Sequence, residues 1–226
     1  VQSILRDAIY AFCGVRPDIV AAGRTDAGVH ALGMVAHFDL DGAFDANTVM
    51  RAVNFYLAEK PVVILSCDVV ADDFNARFDC TARHYRYVVL NRRAAPVLNK
   101  NRVWWVPRKL NIDAMRDAAT HLIGHHDFTS FRATQCQAKS PIKTLDACNI
   151  ITDGDNVIFE FSARSFLHHQ VRNMVGTLVE IGLGKPYDID EIFAACNRSA
   201  AGPTAPASGL YFISADYSTD ASHSDI

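Results

Sequence analysis

Residues 144–163 read TLDACNIITDGDNVIFEFSA, two apolar runs joined by Asp153-Gly154. Asp-Gly between such runs signals a tight hairpin, because both residues tolerate the positive φ that a turn between twisted strands needs. The stretch predicts strands at Thr144–Ile151 and Val157–Ala163. Upstream, His84–Leu90 alternates, with Tyr85, Tyr87 and Val89 on one face. Asn111–Ile123 places Met115, Ala118, Ala119 and Leu122 on one helical stripe, ended by Gly124. Downstream, Ser165 is placed to cap a helix through Ile181 whose stripe is Leu167, Val171, Met174, Val175 and Leu178. A short helix at Ile189–Cys196 and a strand at Gly209–Tyr217 follow. The order β-α-β-β-α-β is the split βαβ, or ferredoxin-like, unit.

The preceding segment repeats that order with one element short. A helix at Val1–Phe12 leads to strands at Asp18–Ala22 and Gly33–Leu40, separated by the Gly-rich stretch Gly23–Gly28. A helix at Asp45–Leu57, capped by Asp45 or Asn47, then precedes the apolar run Val62–Leu65. The expected fold class is therefore α+β, with two ferredoxin-like halves and mainly antiparallel sheets. The first half, 1–71, carries the Asp26 loop and lacks an opening strand; the second is 72–217; and 218–226 reads as a frayed tail. In such a unit the first strand lies inside the sheet, between the fourth and third. The runs Val62–Leu65 and Gly33–Leu40 are thus each expected to lack a strand neighbour.

At 226 residues and half hydrophobic, the chain can bury one sizeable core or two small ones. It has no run of eighteen apolar residues, which argues against a membrane span. It opens on Val1 with no basic-then-apolar leader, and six scattered cysteines include no C-x-x-C pair. Reduced thiols and a cytoplasmic setting are the expectation. The net charge of −3 is unevenly spread: Asp72–Lys109 holds nine Lys/Arg against three Asp, a net of +6 that leaves −9 elsewhere. A local basic face can exist under an acidic total.

The densest polar stretch is Gly23-Arg-Thr-Asp-Ala-Gly28, a Gly-bracketed loop between strands. It holds Asp26 at a loop tip, with Arg24 close enough for an ion pair that keeps the carboxylate ionised. Such a group can act as nucleophile or base. Alone, Asp-Ala-Gly is an ordinary turn. A ferredoxin-like sheet with exposed aromatics also suits a non-catalytic RNA-binding module, the alternative reading. A metal-dependent hydrolase built on Asp26, His30 and His37 is a third. His121, His125 and His126 have ligand-like spacing, but the helix break at Gly124 disfavours a site there.

Extended to Gly23-Arg-Thr-Asp-Ala-Gly-Val-His-Ala31, the loop closely resembles the signature of the tRNA pseudouridine synthase A family. Phe74-Asn-Ala-Arg-Phe78, Thr81-Ala-Arg-His-Tyr-Arg-Tyr87, Asp127-Phe-Thr-Ser-Phe-Arg132, Phe166-Leu-His-His-Gln-Val-Arg-Asn173 and Ser208-Gly-Leu-Tyr211 resemble further family motifs, in family order. The resemblance implies conversion of uridine to pseudouridine in the tRNA anticodon arm, at the conventional positions 38 to 40, by a cytoplasmic homodimer with no metal and no cofactor. It implies Asp26 as the essential carboxylate, Arg24 and Arg172 in its network, and Tyr85 stacking on the extracted base. Leu210 would pack beneath the base pocket. Basic residues, among them Arg77, Arg83, Arg86, Arg92, Arg93 and Arg102, would grip phosphates. The family pattern also opens with a strand and a Gly/Trp/Gln-rich turn ahead of the first helix, and Val1 follows both.

Overall fold

The computed structural model describes residues 1–218. Its elements in chain order begin with α1 (Gln2–Cys13), β1 (Val20–Ala21), β2 (His30–Ala31), β3 (Ala36–His37) and α2 (Ala46–Tyr56). They continue with β4 (Cys80–Leu90), β5 (Trp104–Trp105), α3 (Ile112–Thr120), β6 (Gly124–Asp127), β7 (Ile142–Leu145), β8 (Ala147–Asp153) and β9 (Asn156–Ala163). The last are α4 (Gln170–Gly182), α5 (Ile189–Ala195) and β10 (Leu210–Tyr217). No helix among the described residues is long and apolar enough to cross a membrane. Of the stretch 218–226 read as a frayed tail, all but Ser218 lies outside the described residues.

The chain divides into two compact units, and these are not the consecutive halves 1–71 and 72–217. One comprises Val1–Gly23, Val35–Cys80 and the chain from Tyr217; the other comprises Arg24–Met34 and Thr81–Asp216. The loop carrying Asp26 therefore packs with the second unit. Its exit strand β2 explains why: Tyr211 and Phe212 of β10 take His30 and Ala31 as a parallel neighbour. Leu32 N–H extends that ladder to the Phe212 carbonyl at 2.8 Å. Once its backbone has joined that sheet, the loop is held there by hydrogen bonds that chain order alone does not reveal.

In the second unit the strand order is β2-β10-β4-β9-β8, with β5 beside β4. Removing β2 and β5 leaves fourth-first-third-second, the ferredoxin-like order read from the sequence. The Asp153-Gly154 hairpin forms, with Gly154 at φ 55 and Asp153 opposite Asn156. The run Thr144–Ile151 is split in two. β7 turns away to pair with β6, while Asp146 N–H bonds the Ser162 carbonyl where β8 begins. α3 ends at Thr120 instead of Ile123, because Gly124 at φ 114 opens β6. α4 starts five residues after Ser165. Its N-cap is His169, and Gln170 rather than Ser165 steadies the turn, its Oε1 accepting the Leu167 N–H at 2.8 Å. The core unites α3, α4 and one sheet face through Met115, Leu122, Phe159, Phe161, Met174, Val175 and Leu178.

Two close backbone approaches shape the ground beneath α4. A Cβ at Gly176 would run into the Pro203 carbonyl oxygen, and one at Gly202 would lie 2.7 Å from the Thr177 Cα. Glycine thus lets the 202–205 strip lie directly on the helix. Asn173, fully buried, fastens the strip: its Oδ1 accepts from Arg198 and from Thr204, while its Nδ2 donates to the Phe131 carbonyl.

The first unit is thinner. α1 and α2 enclose Ala8, Ile9, Ile19, Val49, Val53 and Leu57. α1 stops at Gly14 (φ 74), and α2 is capped by Asp45, which accepts from Thr48 N–H at 2.8 Å. The expected strands Asp18–Ala22 and Gly33–Leu40 shrink to a two-residue ladder, β1 against β3. Residues 62–65 form no strand, although Val62 and Ile64 pack inward while Val63 and Leu65 are 64% and 72% exposed. That alternation is a strand's pattern without a strand's ladder. A side-chain amide substitutes for one partner: Asn54 donates to the Ile64 carbonyl at 2.9 Å and accepts its N–H at 2.8 Å.

Candidate active site

Asp26 begins a tight turn in which Val29 N–H reaches the Asp26 carbonyl at 3.1 Å. Gly28 takes φ 84, the left-handed geometry such a turn demands. The carboxylate is met by three side chains at the start of α4. His168 Nε2 lies 3.0 Å from Oδ1, His169 Nε2 lies 2.9 Å from Oδ2, and Arg172 donates to Oδ2 at 2.8 Å. Arg172 is itself fixed, its Nε donating to the Ala205 carbonyl at 2.8 Å. The backbone strip packed on Gly176 thus aims the guanidinium.

Partial burial works to raise the Asp26 pKa. The hydrogen bonds from Arg172 and His168, then the charges of His169 and His168, outweigh it and leave the pKa below the ordinary 3.8. Asp26 is therefore a carboxylate anion at neutral pH. For His169, burial is the leading effect and lowers the pKa; Asp26 opposes it by charge and hydrogen bond, while His168 and Arg172 add to the lowering. Asp26, His168 and His169 also form a trio whose ligand-type atoms lie within 4.8 Å of one another. The Arg172 guanidinium already supplies the cation at this carboxylate, so the arrangement is an ion-pair cluster with no need of a metal to balance its charge.

The expected Arg24–Asp26 pair is not formed. Arg24 is exposed and makes no hydrogen bond or ion pair among the described residues, and Arg172 fills that role. Tyr85 is half-buried on β4, its ring meeting the edges of Phe166 at 5.0 Å and Phe212 at 5.2 Å. Tyr87, on the same face, is a core residue as read: it is fully buried and donates to the Pro206 carbonyl. Leu210 lies in the core at the start of β10. Of the arginines, Arg83 is buried and bonded to the Arg164 carbonyl. Arg86 pairs across the strands with Glu160 at 2.8 Å, and Arg92 pairs with Asp155. A cross-strand carboxylate thus engages Arg86, a turn carboxylate Arg92 and a backbone carbonyl Arg83. Arg93 and Arg102 remain exposed, as does Arg77, which lies over the Phe78 ring in the first unit.

The other histidines among the described residues are individually engaged, His84 with Asp216 and His126 stacked on Phe193. His30 stacks on Tyr211, His37 accepts from Ala76 N–H, and His121 and His125 bond Asp190 and Thr144. His168 and His169 are the residues that motif reading passed over. The available signal was the spacing of His168, one helical turn before Arg172; periodicity gave none for His169.

The site is thus an anionic loop aspartate clamped by a helix-borne arginine, in a unit of ferredoxin-like strand order. The sequence model of the family described as tRNA pseudouridine synthase matches residues 118–218. The tRNA pseudouridine synthase A of Paramagnetospirillum magneticum is 50% identical over 220 residues, covering 96% of this chain and 86% of that protein. Those of Rhodospirillum rubrum and Rhodospirillum centenum are 51% and 53% identical, over 94% and 96% of this chain and 77% and 89% of theirs. The chain belongs to the tRNA pseudouridine synthase A family.

Proposed function

We propose that this chain isomerises uridine to pseudouridine in the anticodon arm of tRNA, at the conventional positions 38 to 40, with Asp26 as the reacting carboxylate. Membership of the family makes it a tRNA-modifying isomerase. The observation that supports Asp26 as the reacting group is the cluster around it: a loop carboxylate kept anionic by three donors in a second unit of ferredoxin-like strand order.

The reaction breaks the N1–C1′ bond, turns the base, joins C5 to C1′, releases the C5 proton and returns a proton to N1. Nothing is oxidised overall, so no redox cofactor is required. Asp26 acts as a nucleophile on the base or the sugar, or as a general base, and Arg172 holds it in place. Tyr85 stacks on the extracted base and takes part in proton transfer at C5, with Leu210 beneath the pocket. Arg24 meets the RNA as an exposed cation instead of pairing with Asp26. Arg77, with the exposed Arg93 and Arg102, contacts phosphates; Arg83 and Arg86 contribute less directly, through the strands they brace. The protein acts in the cytoplasm as a homodimer.

Mapping pseudouridine in tRNA from cells lacking the gene tests the assignment. Loss confined to positions 38 to 40, restored by the wild-type gene, is the expected result. An unchanged map would overturn it.

A further inference from the structure

We infer that His169 is a positioning residue for Asp26, held in a left-handed backbone conformation so that two consecutive side chains converge on one carboxylate. In a helix, neighbouring side chains point about 100° apart, and in a strand they take opposite faces. Neither geometry lets residues i and i+1 grip the same group. His168 and His169 do so because His169 sits at φ 63, ψ 5, in the turn that joins the irregular 165–167 stretch to α4. The two imidazoles lie 4.0 Å apart, tilted by 40°, with one Nε2 on each carboxylate oxygen.

That conformation is unfavourable for a residue bearing a Cβ, and glycine would adopt it freely. A purely structural turn would therefore be better served by glycine. Strain kept at a site, where a side chain is thereby aimed, points to a role for the side chain. Here the role is geometric. Arg172 and His169 fill Oδ2, His168 fills Oδ1, and the carboxylate plane is fixed from both sides. The charged and titratable groups facing His169 are Asp26, His168 and Arg172.

The inference rests on Asp26 being the reacting group, and the test separates the two claims. In the whole protein, His169→Gly removes both the donor and the strain, whereas His169→Gln keeps a donor near the Nε2 position. We expect His169→Gly to melt no lower than wild type yet lose about 10- to 100-fold in kcat at little-changed KM, as misplacement of a reacting group does. His169→Gln should restore most of that loss. Histidine proton resonances provide a readout that needs no turnover: Asp26→Asn should move the His169 titration to lower pH, because Asp26 raises it. Unchanged kcat in His169→Gly would overturn the inference, as would parallel losses of kcat and melting temperature that Gln does not repair. If Asp26→Asn turned over normally, the reading of Asp26 would fail, and an unmoved His169 titration would show separately that the clamp is not formed.

Discussion

In the second unit a long strand, Cys80–Leu90, lies between β10 and β9, and everything else is built on it. In the first unit, among the described residues, no strand occupies the equivalent place. The remaining elements of that order, without an opening strand, then yield a two-residue ladder and a run at 62–65 held by one asparagine. Twenty-seven buried residues form the main cluster of the second unit and six that of the first. Those numbers imply that cooperative stability belongs mainly to the second. Without a strand in that place, the other elements of a ferredoxin-like order do not complete the sheet. The central strand gives its neighbours both their hydrogen bonds and a face to pack against.

The comparison breaks most readily where the second unit has least room. Gly176→Ala forces a methyl group against a backbone carbonyl that cannot swing aside, so a loss near the upper end of the roughly 1–3 kcal/mol typical of overpacking is expected. Because the same strip holds Arg172, activity should fall with stability. Chemical denaturation paired with turnover would show it, and a fully stable, fully active variant would refute the proposed packing.

In the first unit, Asn54→Ala leaves both backbone groups of Ile64 without their amide partner. A cost of about 1–2 kcal/mol is expected there. Hydrogen exchange should locate it: amides of β4, β9 and α4 exchange slowest in the wild type, the 62–70 stretch fastest, and the variant accelerates only the first unit. Equal protection of the two units would end the contrast drawn between them.

Acid should act on the second unit by a predictable route. Asp26 has its pKa depressed below 3.8, so the stability it contributes is complete above that value and is lost as pH falls through its folded pKa. His169 is depressed below 6.5, so it favours the unfolded chain, which takes up the proton first, as pH drops below 6.5. Melting temperature should therefore decline gently from pH 6.5 and steeply below about pH 4. The gentle limb should disappear in His169→Gln.

Much of this was readable in the residues, and the shortfalls have physical causes. The Asp153-Gly154 hairpin, the stripe of α4 and the core place of Tyr87 followed from turn chemistry and periodicity. The division into units did not, because the Asp26 loop joins its sheet through two parallel pairs with β10, 181 residues away. Arg24 appeared to be the partner of Asp26 by proximity in sequence. Arg172 won because the glycine-lined packing of α4 fixes its guanidinium, whereas Arg24 has no such support. The grip of His169 depends on a positive-φ backbone conformation uncommon outside glycine, so no helical or strand periodicity pointed to it.

The smallest effect concerns the exposed cations. Replacing Arg93 or Arg102 singly should weaken tRNA binding and reduce the salt slope of affinity by about one phosphate contact each. Replacing Arg86, which is neutralised by Glu160, should leave that slope nearly unchanged. Equal changes for all three would mean that the ion pair opens on RNA.

The central claim is that the clamped carboxylate of the second unit performs the chemistry. It is tested most directly by Asp26→Asn, assayed by tritium release from C5-labelled uridine in tRNA under single-turnover conditions, with tRNA affinity measured alongside. Binding close to wild type and no release above background are expected. Release at a substantial fraction of the wild-type rate would contradict the claim.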